Sequence, residues 1–472
     1  MKMNYLFLSG NRQIGKWAAA CCLCLFLVGV TSCQHGLDDS ERFSGGVTGV
    51  TLESPNPSEV TFTKVAGTSN VKIEWPVVYG AGGYAFSLYI VDDPDNPELV
   101  GEENEFVDGI SIIREYKEDT KYMANITALG NEKLNNKDAA PSEVSWSTLL
   151  AATMVPDGLD LTTYFADFED PGEEVAYELA PNGNYTVSGE INFGTANVTL
   201  RGNKLSPATV VLSAGFKSQG GGNNFKFINF KCEGLTGSKS FYGFNAIPEG
   251  AALVSNGYIV KNPIVIQSCS FEKLPVHLFF DDGKHYAVSV FLVDNCVVEL
   301  TNNGRFYQNS GSNGGVSNFT ISNSTVYKNN QGKDYFMQLS GQRPHQLGWT
   351  SAGQTYRNCT FYQFDRMHNS NNYSRNELNC YTTVENCIFL DGLRDAAARY
   401  ILPSNNVNNK TLTFKNNTYW RNGAAETGNG NYDKSGTSLD EDPGCKDPSS
   451  GDFTVTNPNT IARRIGDPRW FE

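Results

Sequence analysis

In the second half of the chain, short runs of alternating hydrophobic and polar residues recur around one fixed polar column. Val265-Ile266-Gln267-Ser268-Cys269-Ser270-Phe271 aligns with Leu292 to Val298, Thr320 to Val326, Thr355 to Phe361, Thr383 to Phe389 and Thr413 to Tyr419. The column reads Ser268, Asn295, Asn323, Asn358, Asn386 and Asn416, at offsets of 27, 28, 35, 28 and 30 residues. Each unit predicts strand, tight turn, strand. Residues two before and three after the column, such as Ile266 with Phe271 or Val384 with Phe389, point inward on a period of two. Asn tolerates the left-handed backbone of a tight bend, and its amide is placed to bond the Asn one coil away. The small residue after it (Cys, Ser or Asn) stacks inside. A unit this short cannot bury an apolar face alone, so the units must stack, which predicts a parallel β-helix. Propeller blades run longer, and leucine-rich horseshoes need Leu columns that this chain lacks. Weaker turns at Val198–Gly202 and Phe227–Phe230 extend the pattern upstream, and Leu161–Ala166 predicts a short helix covering the open end.

The first half carries a different pattern. Val60–Phe62, Val71–Trp75, Tyr84–Ile90, Tyr122–Thr127 and Val144–Ser147 alternate between Gly, Pro, Asp and Asn clusters, which predicts an antiparallel β-sandwich. Trp75 inside an alternating strand is expected in its core rather than as a sugar platform. Ahead of it, Lys2, Arg12 and Lys16 precede the apolar run Trp17–Val30, then Thr31, Ser32 and Cys33. That run is too short to span a bilayer and predicts a signal sequence, residues 1–32. A tether, 33–46, carries Asp38, Asp39 and Glu41.

With 472 residues, 46 Gly, 12% aromatics and only 19% charged residues, the chain is a strand-rich globular protein of two or three domains, neither disordered nor coiled coil. The net charge of -14 excludes a basic nucleic-acid binder but is unevenly spread. Residues 34–150 hold 20 acids and 8 bases, whereas 201–435 hold 15 acids and 22 bases. A positive block inside an acidic protein is suited to an acidic polymer, because local potential does the steering; a merely solvated surface is the alternative. About eight coils at about 4.8 Å give a face of about 38 Å, long enough for several sugars. Seven cysteines follow the signal (Cys232, Cys269, Cys296, Cys359, Cys380, Cys387 and Cys445), an odd count in contexts that predict buried thiols rather than disulfides or a metal site.

On these residues the chain is all-β and resembles known families at each level. Thr31-Ser32-Cys33 resembles the lipobox of bacterial lipoproteins, with Val30 where Leu is usual, which implies lipidation of Cys33 and a lipid-anchored, outer-membrane location facing the cell exterior. Trp75 and Tyr122 resemble the core aromatics of a fibronectin type III-like domain, 47–150. The repeat resembles the pectin-lyase-type right-handed parallel β-helix, 151–435 with its N-terminal cap, followed by a C-terminal cap segment, 436–472, containing Ile465-Gly466-Asp467-Pro468-Arg469-Trp470. The whole resembles surface lipoproteins of polysaccharide-utilisation systems. Such relatives imply contact with plant cell-wall glycans, pectins especially, and an outer-membrane glycan importer as partner.

Long excursions between strands are where loops build a site. Four of the five histidines lie in them: His277, His285, His345 and His368. They stand beside Trp349, Tyr362, Tyr373 and Arg375 as expected substrate-binding residues, with Tyr307, Tyr327, Tyr335 and Trp420 also available for stacking. Eliminative cleavage of a uronan needs carboxylate neutralisation, often by Ca²⁺, and a base. Asp281, Asp282 and Asp294 are the expected Ca²⁺ ligands, and Lys273, Lys284, Arg343 or Arg366 the expected base. Asp281-Asp282 before Gly283 reads more readily as a solvated turn than as catalytic, because Asp-Gly is a common turn pair. Yet the chain lacks the Trp-x-Asp-His and paired-arginine motifs of well-known pectate lyases, and the Arg-x-Lys of the hydrolases that share the fold. A binding module needs less. The expectation is therefore a surface lipoprotein that binds acidic, pectin-like polysaccharide along one face of the helix. The alternatives are a polysaccharide lyase acting by β-elimination, or a structural or adhesive protein.

Overall fold

The computed structural model describes residues 45–301, 304–311, 313–329, 335–339, 347–364, 366–370, 379–392, 410–426 and 433–471. The chain divides into two units, Met1–Leu149 and Leu150–Glu472. Cys33 lies outside the described residues.

The first unit carries seven strands: β1 (Thr61–Lys64), β2 (Asn70–Glu74), β3 (Gly83–Ile90), β4 (Glu98–Val107), β5 (Ser111–Glu115), β6 (Lys121–Leu129) and β7 (Ser142–Ser147). They form two antiparallel sheets, ordered β1-β2-β5 and β4-β3-β6-β7. Every second residue of β2 and β6 is buried, so Val71, Ile73, Tyr122, Ala124 and Ile126 meet Tyr84, Phe86 and Leu88 in one shared core. Trp75 is buried there, stacked on Phe86 at 5.8 Å.

The second unit is a parallel β-helix. Successive coils place one strand in each of three sheets, as in Ile264–Gln267, Ser270–Leu274 and His277–Phe280 of the first, second and third sheet. The in-register columns are long: Phe225, Ile266, Val293, Ile321, Tyr356, Val384 and Phe414 follow one another along the first sheet, all of them in the core. The turn column is as the sequence implies. Ser268, Asn295, Asn323, Asn358, Asn386 and Asn416 all hold φ between 48° and 54° at the corner between the first and second sheets. Asn386 Nδ2 donates to Asn358 Oδ1, and Asn358 Nδ2 to Asn323 Oδ1, each at 3.0 Å, and Asn295 Nδ2 donates to Ser268 Oγ at 2.9 Å. Between these rungs the ladder is broken, because Asn323 Nδ2 turns to Asp294 Oδ1 instead. Cys269, Cys296, Cys359 and Cys387 stack inside behind the turns. Burial pushes the Cys269 thiol up to about 12 and raises Cys296 and Cys359 as well, so these are inert packing groups.

Both ends of the core are covered. The short helix Leu161–Tyr164, N-capped by Asp160, buries Leu161, and Phe165 after it meets Phe193 of the first coil. The C-terminal segment does more than close an end. Residues 433–471 run along the outward face of the second sheet, where Leu439, Phe453, Val455 and Ile465 pack on Tyr327, Tyr362, Ile388 and Leu390. Asp467 accepts a bond from Thr325 Oγ1 at 2.8 Å, Trp470 Nε1 donates to the same hydroxyl at 2.7 Å, and Arg469 reaches Asn295 Oδ1 at 2.8 Å.

Candidate functional site

With the later strands of the second sheet covered by the C-terminal segment, the outward face of the third sheet is where charged and aromatic side chains gather. Its strands alternate, so Phe216, Tyr242, Phe279, Tyr307 and Met337 form the inward column. The outward column is Asn192, Lys217, Gly243, Phe280, Gln308 and Gln338.

Lys217 is the unusual member. The residue is 7% exposed, yet its side chain makes no hydrogen bond or close ion pair among the described residues. It lies flat because its neighbour in register is glycine: a Cβ on Gly243 would stand 3.1 Å from Lys217 Nζ and 2.4 Å from the Phe280 carbonyl oxygen. Burial holds the Lys217 ammonium below the usual lysine range. The Glu190 and Asp282 carboxylates act against that shift, and the Lys239 and Lys284 charges add to it. A largely buried cation that Glu190 and Asp282 offset only at a distance, without a close ion pair, is costly to the fold and is suited to an anionic ligand.

Around this notch the face is organised. Lys239 pairs with Asp282 at 2.6 Å. His277 Nδ1 accepts the backbone N–H of Arg305 at 2.8 Å, so in the neutral ring Nε2 carries the proton, and the ring meets Phe280 edge-on at 5.2 Å. Arg305 donates to Gln308 Oε1 at 2.6 Å and lies over the Tyr335 ring at 5.6 Å. Lys217, Lys239, Lys284 and Arg305 thus supply positive charge, and His277, Phe280 and Tyr335 supply rings.

Of the residues expected from sequence, His277, Asp282 and Lys284 fall in this constellation. His285 sits at the following corner with φ of 61° and accepts from Asn313 N at 3.4 Å. Trp349 is half-buried against the helix core. Lys273 stands apart at the end of a second-sheet strand, 3.5 Å from Glu233. Arg366 and His368 lie in the third-sheet strand Arg366–Ser370, in register with Tyr335 and Met337; their side chains lie outside the described residues, as do Arg343, His345, Tyr373 and Arg375.

Several expectations need correction. Tyr362 does point outward, but Phe453 covers it at 5.8 Å and leaves it 8% exposed, so it is not a sugar platform. Tyr327 is covered in the same way, Trp420 packs in the same cluster, and Tyr307 is fully buried in the helix core. Asp281, Asp282 and Asp294 do not form a calcium site. Asp281 is fully buried and its two oxygens already accept from Asn309 Nδ2, the Gly283, Ser310 and Gly311 amides and Ser310 Oγ. That is the role of a loop organiser, and burial raises its carboxyl. Asp282 is taken by Lys239, and Asp294 ends a strand of the first sheet, held by Ser322 and Asn323. Among the described residues no group of three or more His, Cys, Asp or Glu is placed to hold a metal. These three carboxylates, each held by other protein groups, therefore do not fit a shared Ca²⁺. Sequence reasoning missed Lys217, Lys239, Phe280 and Arg305; the one signal for Lys217 was its place between two inward residues in Phe216-Lys217-Ser218.

Three domains of unknown function match in part: DUF4992 over residues 1–193, DUF4957 over 183–329 and DUF5123 over 354–470. No curated protein matches the chain. Among solved structures it is similar to pectate lyase PelI from Erwinia chrysanthemi in complex with tetragalacturonic acid (8% identity, TM-score 0.19, covering 78% of this chain and 88% of that one). A second structure of PelI gives 9% identity and a TM-score of 0.17, covering 78% and 91%. Scores this low carry no argument; the β-helix rests on the strand order of the chain itself.

Proposed function

We propose that the protein binds an acidic, pectin-like polysaccharide along the outward face of the third sheet. The observation that carries this reading is Lys217, a largely buried residue whose ammonium makes no hydrogen bond or close ion pair among the described residues, opening onto a strip with Lys239, Lys284 and Arg305. A carboxylate-bearing sugar supplies the missing counter-charge, and Phe280 and Tyr335 offer faces for sugar rings. The order of the two N-terminal sheets and the buried Trp75 support a fibronectin type III-like module as spacer. The lipobox-like Thr31-Ser32-Cys33 supports a lipid-anchored protein on the outer-membrane surface, presenting captured glycan to an importer.

The test is migration of the full chain in native gels containing polygalacturonate. Retardation that is lost in Lys217→Met supports the reading, and unchanged mobility of the wild type contradicts it. Because the three carboxylates expected to hold calcium are already taken by protein groups, EDTA should leave the retardation unchanged.

A second reading, a lyase acting by β-elimination, is favoured by the same residue. Burial holds this amine below the usual lysine range, which suits it better to take a proton, the role the sequence assigned to Lys273, Lys284, Arg343 or Arg366. Growth of unsaturated-product absorbance with polygalacturonate, abolished by Lys217→Met, would establish it in place of simple binding.

A further inference from the structure

A cavity of about 610 Å³ opens at the corner where the early coils pass from the third sheet back to the first, beneath the excursion 245–262. The volume is in the range of small-molecule clefts. The excursion is fastened at several points. Asn245 N donates to the Ser218 carbonyl at 2.8 Å, Gln219 Nε2 to Ala246 O at 3.1 Å and Tyr286 Oη to Ala246 O at 3.3 Å, while Tyr258–Val260 pairs in register with Tyr286–Val288. Asn245 Nδ2 also bonds Glu190, one of the carboxylates facing Lys217. The cavity is thus anchored to the Lys217 notch by the loop that roofs it.

Its walls are a set of hydrogen-bonding groups around one ring. Tyr258 lies against Gly220, where φ is 108° and a Cβ would stand 2.2 Å from the ring, and meets Tyr286 edge-on at 5.5 Å. Only glycine at 220 lets the ring sit there. Asn197 uses its Oδ1 to accept from Gly222 N at 2.8 Å, and its amide nitrogen makes no hydrogen bond among the described residues. Among the described residues the Tyr258 hydroxyl, the Asn262 amide, Glu249 and Lys261 make no side-chain hydrogen bond or ion pair. Donors and acceptors are therefore both on offer, and the opposite charges of Glu249 and Lys261 cancel. That balance disfavours an anion and suits a ligand rich in hydroxyl groups with an apolar face to lie on Tyr258.

We propose that this cavity takes a neutral saccharide residue, carried as a branch or end sugar of the acidic chain on the third sheet; the branch assignment rests on the proposed function, the sugar site itself does not. The test is calorimetry of the full chain with galactose, arabinose and rhamnose and with oligosaccharides of each. At least one should bind, and Ala252→Trp, which fills the cavity from an exposed position without removing a contact, should weaken that binding at least tenfold. Tyr258→Phe, which keeps the ring, should weaken it less. Lys217→Met should leave it unchanged while abolishing polygalacturonate binding, so a failure of the sugar site and a failure of the anionic face are read separately. A branched acidic polymer should bind wild type more tightly than an unbranched one, a gain lost in Ala252→Trp. No binding across the neutral panel, or binding indifferent to Ala252→Trp, overturns the site. Equal affinity for branched and unbranched polymer overturns the branch assignment.

Discussion

Lys217 and Asp467 are both buried ionisable groups, and their surroundings give them opposite roles. Lys217 has no bond to offset its desolvation, so exchanging it for Met should leave thermal stability unchanged or slightly raised. The same exchange should cost polymer affinity at least tenfold, about 1.4 kcal/mol, which separates a binding group from a structural one. Because its ammonium is held below the usual lysine range, polymer binding should fall on alkalinisation before ordinary lysines discharge. Asp467, by contrast, is enclosed by Thr325, Thr360 and Arg469, and burial pushes its carboxyl up to about 6 from 3.8. Between those values the folded chain keeps a proton that the unfolded chain has released. The contribution to stability is therefore full below about pH 4 and lost as pH rises through about 6, a change of about 2–3 kcal/mol. Thermal midpoints followed across that window should decline less for Asp467→Asn than for the wild type. Neither environment was legible from sequence, because Thr325 and Thr360 lie more than a hundred positions from Asp467, and the groups around Lys217 come from adjacent coils.

At the scale of the element, the turn column was legible because its cause is local. A left-handed corner favours Asn at any coil, so the residue type alone marked where each strand bends. Asn358 both donates to Asn323 and accepts from Asn386 while holding φ at 51°. Asn358→Ala loses both bonds and keeps the backbone strain, for an expected loss of about 2–3 kcal/mol; Asn358→Gly relieves the strain and should be less damaging by about 1 kcal/mol. Urea denaturation of the two variants checks the order. The inward Cys column and the core positions of Tyr356 and Tyr419 were readable for the same reason, since period two fixes a side chain's face. What period two leaves open is whether an outward face meets water. Tyr327 and Tyr362 were correctly directed outward, but Phe453 and its neighbours, from a segment without the repeat, cover them. Trp470→Ala should loosen that cover and cost about 1–3 kcal/mol, read as a lower thermal midpoint with new dye-accessible apolar surface.

For the whole molecule, charge is arranged against its net sign. An acidic chain of net charge -14 carries its excess of bases within 201–435, and the third sheet concentrates part of that excess beside rings. Attraction of this kind is screened by salt, so affinity for polygalacturonate should fall several-fold between low and physiological ionic strength. Hydroxyl-radical footprinting of the full chain, with and without saturating polygalacturonate, tests the central claim most directly. The account predicts protection of Phe280, Tyr335 and His277, with Tyr79 and Phe106 of the sandwich unchanged. Protection confined to the sandwich aromatics, or no protection at saturation, would contradict it.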